Sequence, residues 1–209
     1  MGLTRKNIRG RGQSRNEILF PKKKGVDYDK LQMTEEGEYS ITKRRDGEKL
    51  IQFMKEKVKN LKAKTITDMT GNVGGDTILF GLNFKHVDSY ELKKKNFDVL
   101  KNNVEVFGLK NVDLHEGDSV KAVPDITSDV VYIDAPWGGP EYKERKELDL
   151  FLGKKRIDEL IPILLEDSKY VFLKVPGNYN FRRLKDTDFE FEKLKIRGFY
   201  VVCLFADKK

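Results

Sequence analysis

From residue 65 onward the chain alternates between two rhythms of apolar and polar positions. Short runs rich in β-branched and aromatic residues predict strands at 65–69, 86–91, 112–116, 130–134 and 170–174. Between the second and third of these, Phe97, Leu100, Val104 and Phe107 recur at helical spacing and Gly108 follows as a stop. Leu50, Met54, Val58 and Leu61 place another helical face ahead of the first strand, and 157–165 predicts a third helix with Pro162 as its weak point. Two closing runs, 189–196 and 199–203, are joined by Arg197-Gly198 and predict a hairpin. Strands alternating with helices in this way form a parallel sheet covered on both faces. The expectation is an α/β fold whose mostly parallel, seven-stranded sheet ends in an antiparallel hairpin, with no internal repeat.

At 209 residues the chain accommodates one domain with a sizeable core and an appendage. We expect a basic, flexible arm over 1–24, a segment covering the active site over 25–48, and the main domain over 49–209. The net charge of +7 locates the arm: residues 1–24 hold eight basic side chains against Glu17 alone, and the remainder balances 33 against 33. An arm containing Arg9-Gly10-Arg11-Gly12 suits a phosphate backbone, although a solvated tail or a localisation signal has the same composition. No apolar run approaches the roughly 18 residues that cross a bilayer, and no apolar signal region follows the first basic residues. The reading is therefore a soluble intracellular protein with no membrane contact, in nucleus, cytoplasm or a viral factory. The single Cys203 lies in an apolar strand pattern, and His86 and His115 fall on separate strands, so neither a disulfide nor a metal centre is expected.

Candidate chemistry gathers at the strand ends. After the first strand, Asp68-Met69-Thr70-Gly71-Asn72-Val73-Gly74-Gly75 forms a tight turn, with Gly71 and Gly74 letting a ligand approach the backbone. It lacks the G-x-G-x-x-G spacing of dinucleotide sites, and an acid leading such a turn fits the amino-acid end of S-adenosylmethionine better than a pyrophosphate. Glu91 ends the second strand, where a carboxylate accepts from ribose hydroxyls, and Asp118 follows the third, placed for an adenine amine. At the fourth, Asp134-Ala135-Pro136-Trp137-Gly138-Gly139-Pro140-Glu141 delivers a carboxylate, then a sharp bend beside the only tryptophan of the chain. That combination suits methylation of a nucleobase amino group, with an oxygen and the Ala135 carbonyl accepting the amine hydrogens and an aromatic ring stacking on the base.

The same Asp134–Tyr142 stretch resembles the signature of the trimethylguanosine synthases, the RNA cap guanine-N2 methyltransferases. Asn102-Asn103-Val104-Glu105-Val106-Phe107-Gly108, Glu36-Gly37-Glu38-Tyr39-Ser40-Ile41-Thr42 and Leu19-Phe20 resemble further segments of that family, so the likeness spans about residues 19–175. The resemblance implies a Rossmann-like class I S-adenosylmethionine-dependent methyltransferase that needs no metal and releases S-adenosylhomocysteine. It implies that Phe20 and Thr42 cover the cofactor, that Asp68 and Glu91 hold its methionine and ribose parts, and that Asn103, Asp134 and Trp137 surround the base. Arg11 and Lys174 are the expected contacts to the cap phosphates, and capped RNA is the expected partner, with other capping or RNA-processing proteins beside it. Two positions depart from the family pattern: Ala135 replaces one of two consecutive prolines, and Asn72 stands where the first turn glycine would be. Two other readings stay open at this point. One is an amino methyltransferase acting on adenine N6 or on internal guanine N2, and the other a non-catalytic RNA-binding subunit on the same fold.

Overall fold

A computed structural model describes residues 13–185 and 189–205 of the chain. Among the described residues nine strands and eight α-helices follow one another. The strands are β1 (Thr65–Asp68), β2 (His86–Glu91), β3 (Val112–Glu116), β4 (Val130–Ile133), β5 (Phe151–Leu152), β6 (Lys155–Arg156), β7 (Tyr170–Pro176), β8 (Glu190–Ile196) and β9 (Phe199–Phe205). The helices are α1 (Arg15–Leu19), α2 (Glu35–Ser40), α3 (Arg44–Lys57), α4 (Gly75–Gly81), α5 (Lys94–Val106), α6 (Ser119–Ala122), α7 (Ile157–Asp167) and α8 (Arg182–Lys185). Seven strands form one sheet in the order β3-β2-β1-β4-β7-β9-β8, while β5 and β6 make a small separate ribbon. The first five strands of that order pair in parallel, and the β8–β9 hairpin adds antiparallel to β7. The expected seven-stranded sheet and its closing hairpin are both present.

Burial explains the sequence rhythm. β4 is covered on both faces and all four of its residues are buried, which is why Val130-Val131-Tyr132-Ile133 runs apolar without alternation. β2 alternates half-buried and buried residues because one of its faces is open. α3 turns Leu50, Ile51, Phe53 and Met54 inward, and α7 turns Leu160, Ile161, Leu164 and Leu165 onto the opposite face. A third cluster joins Leu100, Val104 and Phe107 to Leu19, Phe20 and Leu31 of the N-terminal segment. Fully burying one such leucine contributes about 1.5–3 kcal/mol.

Several expected boundaries move. α3 begins at Arg44, so the division set between 48 and 49 falls inside a helix, and Val58 and Leu61 lie beyond its end, Leu61 in a single 3-10 turn. Pro162 sits inside α7 without ending it. The arm is shorter than expected. Ser14 and Glu17 form a reciprocal capping box that starts α1, and Leu19 and Phe20 are buried, so residues 13–24 belong to the folded body. Residues 1–12, Arg11 among them, lie outside the described residues. Among the described residues no helix is long and apolar enough to cross a membrane.

Candidate active site

The chain direction across the sheet reverses between β1 and β4, and the crevice beyond their carboxyl ends is where open α/β sheets hold ligands. A cavity of about 550 Å³ occupies that place. Its walls come from the turn after β1, the ends of β2 and β3, the loop after β4, the end of β7 and the β8–β9 turn. The N-terminal segment from Glu36 to Asp46 closes it from above. α2 approaches closely enough that a Cβ on Gly37 would meet Val73 Cγ1 at 2.6 Å, so this cover depends on a glycine.

One end of the cavity is built from acids and backbone. The turn after β1 reverses through Asn72 and Gly74, with φ of 47° and 95°, conformations that asparagine and glycine adopt most readily. Asn72 donates its N–H to Glu91 Oε2 at 2.8 Å and its side-chain amide to Ser40 Oγ at 2.6 Å. Lys93 N donates to Glu91 Oε1 at 2.7 Å, leaving the second lone pair of each oxygen for a ligand diol. Burial raises the Glu91 pKa, opposed by those two backbone donors. Asp118 caps α6 through Val120 N at 3.0 Å and also borders the cavity. Asp76, in the first turn of α4, borders the cavity, and its buried Oδ1 has no hydrogen-bond partner among the described residues. A buried, orphaned carboxylate oxygen suits a cationic amine.

The other end carries a buried ion pair beside an aromatic plate. Lys174 Nζ lies 2.6 Å from Asp134 Oδ2 and donates to Thr42 Oγ1 at 2.9 Å. Thr42 in turn donates to Asp76 Oδ2 at 2.8 Å, and Tyr132 Oη reaches the same oxygen at 3.1 Å. The resulting chain, Asp134–Lys174–Thr42–Asp76–Tyr132, ties both ends of the cavity together. Burial pushes the Asp134 carboxyl up to about 6, and the Lys174 ammonium keeps it from going higher. Burial works against the Lys174 charge, yet Asp134 and Asp76 outweigh it and raise its pKa. No hydrogen bond engages Asp134 Oδ1 among the described residues. The Trp137 ring lines the cavity, half-buried, in edge contact with Tyr142 at 5.0 Å, and its indole N–H has no partner.

Gly71, Glu91, Asp118, Thr42, Asp134, Ala135, Pro136, Trp137 and Lys174 all border the cavity. Five expectations need correction. Asp68 is fully buried, accepts from Thr77 Oγ1 at 2.6 Å and Thr70 N at 3.1 Å, and braces the turn from below; burial pushes its carboxyl up to about 7. Asp76, which the sequence pattern did not single out, borders the cavity where Asp68 was expected. Phe20 is packed under the N-terminal segment, 6.4 Å from Phe107, and does not reach the cavity. Asn103 is likewise fully buried, donating to the Gln32 and Val73 carbonyls and accepting from Gln32 N, so it pins the cover to the first turn. Gly74 bends the chain while Gly71 and Gly75 form the wall. Lys174 is only 4 % exposed and spends its charge on Asp134, which removes it from the surface where phosphates would lie.

The missing proline at Ala135 is offset by packing, since Ala135 is buried in the core cluster beneath α7. The two histidines, placed on separate strands by the sequence, meet on the open face of β2 and β3. His115 Nε2 is 2.9 Å from Asp88 Oδ1, and His86 Nε2 lies 3.4 Å from Asp113 Oδ2. Cross-strand His–Asp pairing accounts for them, and neither histidine borders the cavity.

Residues 63–202 match the family model described as RNA cap guanine-N2 methyltransferase. The chain is 35 % identical over 140 residues to an uncharacterised protein of Acanthamoeba polyphaga mimivirus, covering 65 % of this chain and 52 % of that protein. It is 29 % identical over 174 residues to the trimethylguanosine synthase of Saccharomyces cerevisiae, covering 79 % of this chain and 54 % of the yeast protein. It thus spans about half the length of the curated relatives it matches. Among solved structures, a 16S rRNA N2 methyltransferase of T. thermophilus, in complex with AdoMet and guanosine, superposes with a TM-score of 0.62 at 14 % identity, over 77 % of this chain and 43 % of that one. A precorrin-6y C5,15-methyltransferase of Geobacter metallireducens gives 0.63 at 14 % identity, over 88 % and 97 %. At that identity the likeness concerns the fold, that of the class I methyltransferases.

Proposed function

The chain belongs to the RNA cap guanine-N2 methyltransferase family, and from that premise we propose that it methylates the exocyclic amine of a 7-methylguanosine RNA cap, with S-adenosylmethionine as donor. The observation that carries this reading is the junction of Asp134, Lys174 and Trp137 in the wall of the same cavity that the acids suited to the donor border. Asp76 would take the donor's ammonium, Glu91 its ribose hydroxyls and Asp118 its adenine amine. Bound there, S-adenosylmethionine supplies an electrophilic methyl carbon on a positively charged sulfur.

An arylamine is a weak nucleophile because its lone pair is shared with the ring. Asp134 Oδ1 and the Ala135 carbonyl accept its two hydrogens, which turns the nitrogen lone pair toward the donor side of the cavity. As the methyl left sulfur for the nitrogen and S-adenosylhomocysteine departed, the nitrogen would become a cationic, acidic ammonium, and Asp134 Oδ1 would receive the proton it loses. Trp137 stacks on the purine, and the positive charge of 7-methylguanine adds about 0.5–2 kcal/mol over an indole face. Lys174 does not bar that cation, since Asp134 neutralises it. Holding both partners in line is the main contribution, as expected for a reaction that needs orientation more than activation.

Turnover of three acceptors with labelled donor tests the assignment: a cap analogue, capped RNA and uncapped RNA. The expected result is label in the first two alone. Label only in uncapped RNA would transfer the assignment to internal guanine N2 or adenine N6, and donor binding without any turnover would favour a non-catalytic subunit.

A further inference from the structure

A strip of aromatic rings overlain by lysines leaves the cavity and runs onto the β8–β9 hairpin. It starts at Trp137 and Tyr142, with the Lys143 ammonium 5.9 Å from the Tyr142 ring centre. Asn178 Nδ2 donates to the Tyr142 carbonyl at 2.8 Å and ties that loop to Tyr179, which is buried and supports the strip from beneath, meeting the half-buried Phe181 edge-on at 5.3 Å. Phe181 then meets Tyr200 of β9 at 5.4 Å. Lys193 lies 4.1 Å from the Phe181 ring centre and 5.2 Å from that of Tyr200, and Lys195 lies 5.9 Å from Tyr200.

These two lysines differ from their neighbours. Arg182 and Arg183 are matched to Glu147 and Asp149, whereas no carboxylate lies within 4.0 Å of Lys193 or Lys195 among the described residues. Both are exposed, and their two-residue spacing on β8 sets them on one face, about 6.6 Å apart along the strand. An unpaired ammonium held over a ring keeps its charge outward with less conformational freedom to lose, which suits a regularly spaced anion. Aromatic and cationic side chains in sequence are what an extended single strand of nucleic acid requires.

We propose that this strip carries the RNA chain following the cap, with Lys193 and Lys195 on successive backbone phosphates. The inference rests on the cap reading of the cavity and adds a path for the rest of the substrate. Contacts to phosphate make it indifferent to sequence and sensitive to salt.

The Lys193→Glu/Lys195→Glu double variant, assayed on a cap dinucleotide and on a capped RNA oligonucleotide, tests it. The kcat/KM on capped RNA is expected to fall roughly tenfold and that on the dinucleotide to stay unchanged. The slope of log Kd against log salt for the oligonucleotide should flatten by about 1.4, since each single-strand phosphate contact contributes about 0.7. Lys193→Gln/Lys195→Gln, which removes charge without reversing it, should show the same selectivity with a smaller loss. Unchanged turnover of capped RNA by both variants overturns the proposal, as does equal loss on both substrates by the glutamine variant. A wild-type protein that binds the oligonucleotide but methylates neither substrate refutes the cap reading instead, and the binding slopes then decide the strip alone.

Discussion

Replacing Trp137 by alanine is expected to abolish methyl transfer to a 7-methylguanosine cap while leaving S-adenosylmethionine binding unchanged. In the proposed binding mode the indole stacks on the base while Asp76, Glu91 and Asp118 hold the donor, and all four residues border the cavity. Stacking of a base on an aromatic side chain is worth about 1–3 kcal/mol, so its loss alone weakens cap binding by roughly an order of magnitude or two. Misplacement of the amine then removes turnover of what still binds. Because the indole also packs against the cluster beneath α7, Trp137→Phe serves as companion, keeping a plate and the packing. It should retain a measurable fraction of activity. Trp137 is the only tryptophan, so the intrinsic indole fluorescence of the wild type reports on this site without a label, and a cap analogue should quench it. Equal loss of donor and cap binding by the phenylalanine variant would count against the division of the cavity into two ends.

The second large effect concerns Asp134 and its lysine. Asp134→Asn should lower kcat by roughly a hundredfold or more, the range for losing a proton acceptor in the reacting complex. The wild-type rate should rise with pH through about 6, because a carboxyl raised to that value accepts a hydrogen only after it has lost its own proton. Lys174→Met removes the ammonium that holds the carboxyl down, so the acid limb should move to higher pH, with activity recovered in alkaline buffer. A merely structural lysine would lower activity at every pH without moving the limb. Asp134→Asn leaves Lys174 buried and unpaired, a change that costs about 3–5 kcal/mol. The Asp134→Asn/Lys174→Met pair is therefore the control for folding, and it should remain inactive while melting closer to the wild type.

The sheet was legible because its strands carry their own punctuation. Val130–Ile133 ends at Asp-Ala-Pro, β2 at Glu91, and the hairpin at Arg197-Gly198, so residue pattern and turn chemistry agreed. The order of the strands across the sheet was not legible there and comes from the structure. α1 and α2 were less visible, being five and six residues long, too short for an apolar period to show. Their start signals were nonetheless present, in Ser14 with Glu17 and in Thr34, whose hydroxyl accepts from Gly37 N.

The misplaced site residues share one cause. Asp68 and Asp76 flank the same turn, and sequence order does not say which carboxylate faces a ligand and which braces the loop. The helical offset of Asp76 from Gly74 and Gly75, an acid just after a glycine pair, was the signal that could have found it. Asn103 and Phe20 fasten the cover over the cavity and do not line it. Lys174 lies 40 residues from Asp134, and only the parallel pairing of β4 with β7 reveals that the two charges are partners.

In the proposed reaction the wall formed by Asp134, Ala135 and Trp137 presents the amino nitrogen of a capped guanine to a sulfonium methyl. Mass analysis of a 7-methylguanosine cap dinucleotide after incubation with protein and S-adenosylmethionine, followed by fragmentation of the product, tests it most directly. The expected product gains one or two methyl groups, all on N2 of the 7-methylguanine. An unchanged dinucleotide in the presence of demonstrable donor binding, or a methyl group on any other atom, would contradict it.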